Sequence, residues 1–263
     1  MPEGHVIHRL ARGLRSTLGD APIRASSPQG RFEASAALLD GERVTRTEAW
    51  GKYLFVSTTG GQILHVHLGL IGKFRSKDVP APEPTPTVRL RLENDGGCWD
   101  LTGPTRCELL TPRERRAIIE RLGPDPLRRS PRTEVLFERL SRTSIPIGAT
   151  LLDQSIIAGL GNIYRAEVLF LCGIDPRRPS NRLSHEEVEE IWEQSLRLLR
   201  IGVTTGSIIT TDPAEIGRTR GRMRPDDHLY VYHRDHCRRC GTELRTIDLA
   251  GRAITYCPVH QPT

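Results

Sequence analysis

Residues 151–170 read LLDQSIIAGLGNIYRAEVLF, and in this stretch a glycine-rich turn opens directly into a segment with helical apolar spacing. Backbone amides at the start of such a helix, together with the side chain of Asn162, form a ready site for an anion. The same pattern also fits an ordinary corner between two helices that is capped by glycine. The stretch therefore predicts a helical region, with a phosphate site as one of two interpretations.

Downstream, residues 236–262 read HCRRCGTELRTIDLAGRAITYCPVHQP. Cys237 and Cys240 are separated by two residues, as are Cys257 and His260 after an arm of 16 residues. Each pair can bind one tetrahedral zinc ion from a tight turn, which leaves the arm as a β-hairpin. The spacing predicts a Cys3His zinc site.

A chance cysteine cluster is the alternative, and His236 or His233 competes with His260 as the fourth ligand. Four protein ligands leave no open position, so the predicted zinc is structural. It would hold the hairpin tip, where Gly251 allows close approach and Arg252 offers a guanidinium to a phosphate.

Upstream, from about residue 22 to residue 110, the pattern changes to short apolar and β-branched runs broken by glycine and aspartate. Such runs are typical of antiparallel strands and predict a sandwich or barrel. Residues 79–87, VPAPEPTPT, hold four prolines and predict an exposed, poorly ordered loop.

A helix around residues 113–122 leads into the proline-rich turn LGPDPL, which we interpret as a domain boundary. The predicted class is α+β, with an N-terminal β-sandwich flanked by helices and a C-terminal helical domain that carries the zinc hairpin. Ser184 and Glu187 form a predicted capping box within that helical part. The predicted domains are 1–122, a linker at 123–130, 131–230, and the zinc finger at 231–263.

The chain has 263 residues and a formal net charge of +6, and arginine far outnumbers lysine. Arginine suits bidentate contact with phosphate oxygens, so a polyanionic partner is plausible. Six cysteines are too few for a secreted disulfide scaffold of this length. With neither a signal peptide nor a long apolar run, we expect a monomeric, cytoplasmic protein near DNA, without membrane contact.

At the N-terminus, Val6, Ile7 and Leu10 begin a helical apolar pattern, so Pro2 and Glu3 lie at a helix start. Removal of Met1 would make Pro2 a secondary amine, and an α-amino group titrates near pH 8. A useful fraction is then nucleophilic at neutral pH, and Glu3 is placed as a general acid or base. The competing interpretation is a plain helix opening.

Taken together, the sequence resembles the formamidopyrimidine-DNA glycosylase and endonuclease VIII family. The resemblance rests on six motifs that span both halves of the chain: MPEGH, GKYLF, HLGLIGKF, LGPDPL, LLDQSIIAGLGNIYRAEVLF and the terminal zinc hairpin. It implies a β-sandwich followed by a helix-two-turn-helix region with a zinc finger. It also implies a bifunctional base-excision enzyme that removes damaged bases from double-stranded DNA and cleaves the strand.

The resemblance assigns a role to individual residues. Pro2 would attack C1′ of the damaged nucleotide as the Schiff-base nucleophile, and Glu3 would transfer protons at the sugar. Lys52, Asn162 and Arg252 resemble the phosphate clamps around the lesion, and Lys52 and Arg252 thereby join the catalytic set. Leu70 resembles the residue that fills the base stack after the nucleotide is everted, although a core leucine would give the same pattern.

The lesion class follows from two departures within the family. The purine-specific branch begins MPELPE and carries an Arg-Arg-Phe-Gly loop, whereas this chain has MPEGHV and, at the corresponding place, LTGPTRCEL. We therefore expect oxidised pyrimidines and abasic sites to be better substrates than 8-oxoguanine. Base excision would be followed by β,δ-elimination of the two phosphates. The alternatives are a purine-preferring glycosylase, a damage-binding protein without turnover, and a zinc-ribbon subunit of a nucleic-acid complex. The family has cysteine where His260 stands, which leaves the fourth zinc ligand open.

Overall fold

The computed structural model describes residues 2–19, 21–129 and 133–263. The chain divides into two compact units, Met1–Arg121 and Leu122–Thr263. The predicted α+β class is confirmed: the first unit holds the sheets, and the second holds most of the helices and a β-hairpin.

Within residues 2–19 and 21–121, the first unit combines three helices with eight strands. Its helices are α1 (Gly4–Leu18), α2 (Glu33–Ala37) and α3 (Pro112–Arg121). Its strands are β1 (Arg24–Ser26), β2 (Val44–Trp50), β3 (Tyr53–Thr58), β4 (Ile63–His67), β5 (Lys73–Lys77), β6 (Val88–Asn94), β7 (Gly97–Thr102) and β8 (Arg106–Leu110).

These strands form two antiparallel sheets of four strands, in the orders β2-β3-β4-β8 and β1-β6-β7-β5. One core contains apolar side chains from both sheets, such as Leu54 and Leu92, together with the apolar face of α1, such as Leu14. Successive side chains of a strand project to opposite faces of its sheet, so the inner face of each sheet contributes to this core, and strands such as β7 are buried on both faces. The predicted sandwich is therefore present, and α1 covers part of it.

The second unit contains α4 (Thr133–Ser141), α5 (Ile147–Thr150), α6 (Asn162–Leu171), α7 (His185–Thr205) and α8 (Pro213–Ile216). Its hairpin consists of β9 (Arg245–Leu249) and β10 (Arg252–Tyr256). Short 3-10 turns lie at Ser180–Arg182, Arg220–Arg222 and Pro225–Asp227.

The predicted capping box at the start of α7 is confirmed. The Ser184 hydroxyl accepts from the Glu187 N–H at 3.2 Å, and the Glu187 carboxylate accepts from the Ser184 N–H at 2.8 Å. These bonds satisfy backbone donors at the helix start that otherwise lack a partner. No helix in the described ranges is both long enough and apolar enough to cross a lipid bilayer.

The segment predicted to be a linker, residues 123–130, packs into the second unit over its first half. Residues 123–126 are buried, and the Gly123 N–H donates to the Gln154 carbonyl at 2.8 Å. The Ala158 N–H donates to the Pro124 carbonyl at 3.0 Å. Gly123 and Pro124 thus lie against residues 154–158 within the second compact unit, and the bounds of the linker and of the zinc finger stay a prediction.

Helix α6 carries two fully buried charged side chains, Arg165 and Glu167. The Glu167 carboxylate accepts from the N–H groups of three successive residues, Tyr230, Val231 and Tyr232, each at 2.8 Å. It also accepts from the Thr210 hydroxyl. Because a buried carboxylate is tolerated only when its oxygens are hydrogen-bonded, these bonds fix the chain on both sides of α8 to α6.

Hairpin β9–β10 pairs Arg252 with Leu249, so its turn has only two residues, Ala250 and Gly251. Both have positive φ angles, 57° and 71°, as a two-residue hairpin turn of the mirror-image type requires. The Gly251 N–H donates to the Asp248 carboxylate at 3.0 Å. The predicted hairpin is confirmed, and its tip is a tight turn that fixes the start of β10.

Candidate nucleic-acid interface and metal centre

Pro2 and Glu3 precede the first turn of α1, as the sequence predicts. Pro2 is half-buried, and the Glu3 side chain is fully buried. Glu3 is the N-cap residue with extended backbone, and its carbonyl accepts from the Val6 N–H at 3.0 Å. A carboxylate at a helix start is favoured by the helix dipole. Met1 lies outside the described residues.

Lys52 and Gly51 form the two-residue turn between β2 and β3, where Trp50 pairs with Tyr53. Gly51 has a φ of 54°, which supplies the left-handed backbone that this turn needs. Since Tyr53 pairs with His67 across β3 and β4, Lys52 lies at the same end of the sheet as His67. The sheet register thus brings Lys52 close to the segment that carries Leu70.

Leu70 lies in the turn 69–71 that follows β4. Its side chain is 59% exposed, and that of the next residue, Ile71, is 78% exposed. The alternative of a core leucine at position 70 is therefore excluded. Two adjacent apolar side chains in solvent form a blunt apolar tip, which is the shape that insertion into a base stack requires.

The His67 side chain fixes the backbone of this turn through a hydrogen bond. The Gly69 N–H donates to His67 Nδ1 at 3.2 Å, and the Gly72 N–H donates to the Leu68 carbonyl at 3.0 Å. Gly69 has a φ of 66°, and a Cβ there would lie 1.9 Å from the Thr105 hydroxyl oxygen. Only glycine fits, so the backbone of the turn is fixed while its two apolar side chains remain exposed.

His67 is kept neutral by its surroundings. Burial, together with the nearby charges of His65, Lys52 and Arg106, lowers its pKa to about 4. Burial is also the main cause that lowers the pKa of His65, against the opposing effect of a hydrogen bond to Glu108. A neutral His67 ring can accept the Gly69 N–H at Nδ1, which a protonated ring cannot do.

The sequence reasoning missed His67, Ile71 and Arg106 as members of this sheet end. Arg106 pairs with His67 across β4 and β8, and its side chain is 62% exposed. His67 and Ile71 both lie in the quoted motif HLGLIGKF, so they could have been identified from the same motif that predicted Leu70. The contribution of Arg106 depends on strand pairing between distant segments, which the motif does not contain.

In the second unit, Asn162 is the first residue of α6, as predicted, and Gly161 at the N-cap offers no capping side chain. Asn162 Nδ2 donates to the Ala253 carbonyl at 3.2 Å. Its Oδ1 is buried and has no hydrogen-bond partner among the described residues. Because an amide nitrogen has two N–H groups, one donor remains available beside the helix start for an anion.

Arg252 begins β10 next to the hairpin tip, and its side chain is exposed. Its backbone is held by α6: the Arg165 guanidinium donates to the Arg252 carbonyl at 3.0 Å and to the Ala253 carbonyl at 2.9 Å. The same guanidinium reaches the Gly148 carbonyl at 2.7 Å. The structure thus brings Asn162 and Arg252 together at one end of the hairpin.

Cys237, Cys240 and Cys257 form a group that can hold a metal ion, with all three sulfur atoms within 4.8 Å of one another. The Sγ atoms of Cys240 and Cys257 are 3.6 Å apart. Hydrogen bonds with the Thr242 side chain and backbone lower the pKa of Cys240 to about 7, which favours the thiolate that a metal requires.

The ring nitrogens of the three candidate histidines, His233, His236 and His260, lie outside this sulfur group. The His260 ring packs edge-on against Phe170, and its Nε2 is buried without a hydrogen-bond partner in the described part of the chain. The His233 ring stacks instead on Tyr232. The three cysteines are thus assembled, and the identity of the fourth ligand stays a prediction.

Two family models match the chain. The one described as the formamidopyrimidine-DNA glycosylase N-terminal domain matches residues 1–107, and the one described as the formamidopyrimidine-DNA glycosylase H2TH domain matches residues 122–213. The two matches fall in separate units of the structure.

Similar proteins cover the whole chain. Endonuclease 8 1 of Mycobacterium tuberculosis is 42% identical over 267 residues, which covers 99% of this chain and 100% of that protein. Formamidopyrimidine-DNA glycosylase of Synechococcus elongatus is 29% identical over 283 residues, which covers 100% and 98%, respectively.

Solved structures of Lactococcus lactis Fpg are similar over their full length. Its complex with DNA that contains N7-benzyl-Fapy-dG has a TM-score of 0.81 and 25% identity, and covers 100% of each chain. Its complex with DNA that contains an oxidised pyrimidine has a TM-score of 0.80 and 26% identity, with the same coverage.

The lowered pKa of His67 predicts a pH dependence of stability. In the unfolded chain His67 titrates near 6.5, and in the folded protein near 4. Between these values the unfolded state binds more protons, so the free energy of unfolding falls as the pH drops from about 6.5 to 4. His5, whose pKa burial also lowers to about 4, contributes in the same direction.

Urea unfolding at several pH values measures this effect. His67→Gln removes the titrating group and retains a side-chain acceptor, so its unfolding free energy should fall less than that of the wild type across the same window. Equal slopes of unfolding free energy against pH for the two proteins would contradict the lowered pKa of His67. The interval from pH 7 to 8 provides the baseline for both.

Proposed function

The chain belongs to the formamidopyrimidine-DNA glycosylase and endonuclease VIII family of DNA glycosylases and AP lyases, and we propose that it excises oxidised pyrimidines from double-stranded DNA through the amine of Pro2. The observation that carries this proposal is the pairing of a half-buried Pro2 with the fully buried carboxyl of Glu3 at the start of α1.

The reaction begins at C1′ of the damaged nucleotide. The Pro2 nitrogen, free after Met1 is removed, attacks C1′ with its lone pair, and the base leaves with the electrons of its bond to C1′ and takes up a proton. The nitrogen then loses its one proton, and the bond between C1′ and O4′ breaks as O4′ is protonated, so the product is a cationic imine. Glu3 exchanges protons with the sugar oxygen and nitrogen as these bonds change.

The imine then draws electrons from C2′ and makes its proton acidic. Loss of that proton breaks the bond between C3′ and the 3′ phosphate, and a second elimination releases the 5′ phosphate. Lys52 and Arg252 supply cations for the phosphates around the lesion, and Asn162 supplies an amide at a helix start. These groups hold the backbone while the sugar reacts.

Leu70 fills the place that the everted nucleotide leaves. Eversion costs a few kcal/mol for unstacking, and least for a base that is already damaged. Ile71 adds to the apolar tip, and the bond between His67 and Gly69 limits its motion. The enzyme acts on DNA as a single chain.

Borohydride trapping on abasic DNA tests the role of Pro2. The wild type should form a covalent adduct, and a form that keeps Met1, or carries an N-terminal extension, should form none, because Pro2 is then an amide. Pro2→Gly should trap at least tenfold less, since it lacks the secondary amine. Glu3→Gln should lower base excision by about 10²–10⁴-fold, the usual contribution of a general acid or base.

A trapped adduct with the extended form would overturn the assignment of Pro2. Arg113→Gln, an exposed change on α3, is the matched control and should trap like the wild type.

The pyrimidine preference is supported by the 42% identity with Endonuclease 8 1, against 29% with the cyanobacterial formamidopyrimidine-DNA glycosylase. Strand nicking on matched duplexes is the test. Thymine glycol and dihydrouracil should be nicked faster than 8-oxoguanine opposite cytosine. A faster rate on 8-oxoguanine would assign the chain to purine lesions.

We also infer that the metal is zinc, held by Cys237, Cys240, Cys257 and His260. Zinc–sulfur bonds of about 2.3 Å in a tetrahedron place two sulfurs about 3.8 Å apart, close to the 3.6 Å between Cys240 and Cys257. The buried Nε2 of His260 lacks a hydrogen-bond partner among the described residues, which a metal bond would supply. Bound zinc would fix the base of the hairpin that carries Arg252.

Metal analysis by mass spectrometry tests this ligand set. The wild type should hold one zinc ion per chain, Cys257→Ser should lose it, and His260→Ala should lose most of it. His236→Ala is the matched control and should retain the metal. The reverse pattern for the two histidines would make His236 the fourth ligand.

A further inference from the structure

Strand β5 carries a line of three exposed cations, Lys73, Arg75 and Lys77. They alternate with Phe74, which is buried in the core of the first unit, so the three charges share the outer face of their sheet. In the described part of the chain none of the three side chains has an ion-pair partner. We call this line the β5 cation row.

The row borders a cavity of about 360 Å³. The base of the cavity contains Arg91 and Asp100, a buried pair joined by two hydrogen bonds of 2.8 Å. Arg91 also donates to the Pro82 carbonyl at 2.8 Å, which holds the proline-rich loop as the opposite rim. The cavity is therefore built on a fixed base and is not a chance gap between mobile side chains.

The charge of the lining favours an anion. Its two acidic residues are Glu83 and Asp100, and both oxygens of Asp100 are already bound by Arg91. The β5 cation row thus faces a single uncompensated carboxylate. Moreover, the whole chain contains only three lysines, and two of them, Lys73 and Lys77, lie in this row.

The spacing indicates which anion. Alternate residues of a strand lie about 6.6 Å apart, so the row extends about 13 Å. Successive phosphates of a nucleic-acid strand have a comparable separation, whereas those of a polyphosphate lie much closer together. The row also begins two residues after Ile71, so it starts beside the turn that we propose to insert into DNA.

We propose that the β5 cation row binds the phosphate backbone of a DNA strand as it leaves the lesion, and so extends the binding surface beyond the phosphates next to the damaged nucleotide. This inference rests on the proposed function for its position relative to the lesion. Cations at this spacing displace the counterions of successive phosphates, which adds salt-dependent affinity without contact to the bases.

The scarcity of lysine permits a direct test by chemical labelling. The full chain is acetylated briefly, with and without a duplex that carries a tetrahydrofuran abasic analogue, and the labelling of each lysine is read by mass spectrometry. Lys73 and Lys77 should be labelled several-fold less when DNA is bound. In the same sample, protection of Lys52 from labelling reports contact with the phosphates at the lesion.

The outcomes separate the two proposals. Protection of Lys52 alone would overturn the role of the row and leave the proposed function intact. Protection of Lys73 and Lys77 in a protein that fails to trap abasic DNA would support the row and contradict the proposed function. If DNA changes the labelling of none of the three lysines, the proposed role of the row is overturned.

Charge neutralisation gives a second measurement. The triple variant Lys73→Gln, Arg75→Gln, Lys77→Gln should reduce the slope of log K against log salt by about 0.9 for each phosphate that the row no longer neutralises. The matched control neutralises three exposed arginines of α3, as Arg113→Gln, Arg116→Gln, Arg121→Gln, and removes the same net charge. Equal slopes for the two variants would overturn the proposal, and thermal unfolding verifies that both are folded.

Discussion

The second unit depends on the hydrogen bonding of two buried charges on one helix. Arg165 and Glu167 have no exposed surface, and a buried charge that lacks partners costs several kcal/mol. Arg165 therefore fixes the carbonyls of Arg252 and Ala253, and Glu167 fixes the N–H groups of residues 230–232. The same helix begins with Asn162. The position of the hairpin relative to the helix start follows from this pair of charges.

The sequence predicted the parts of the fold whose determinants are local. The helix start at Asn162 follows from the glycine turn before it, and the capping box of α7 requires only Ser184 and Glu187. The hairpin follows from the spacing of its cysteines, and the sulfur group follows from the same spacing. The short apolar and β-branched runs, broken by glycine and aspartate, predicted the sandwich because a strand and its turn are each encoded within a few residues.

The remaining features depend on interactions between distant residues. In the sequence, Arg165 and Glu167 look like ordinary solvent-facing charges, because the groups that bind them lie 17 to 88 residues away. The prolines after residue 122 indicated a domain boundary, and the burial of Gly123 and Pro124 depends on backbone bonds to residues 154 and 158, which the local sequence does not show. Likewise, the neutral state of His67 results from its position between strands, which no local pattern records.

Strand β5 is the edge of its sheet, and this position gives its charges a consequence that is independent of DNA. An open edge offers unpaired backbone groups to the edge of any similar strand, and this is how sheets of separate molecules join and aggregate. Two copies of the chain that approach through this edge bring like charges together, and the charged strand of each repels that of the other. The edge is thereby protected from self-association while it stays accessible to an anionic polymer.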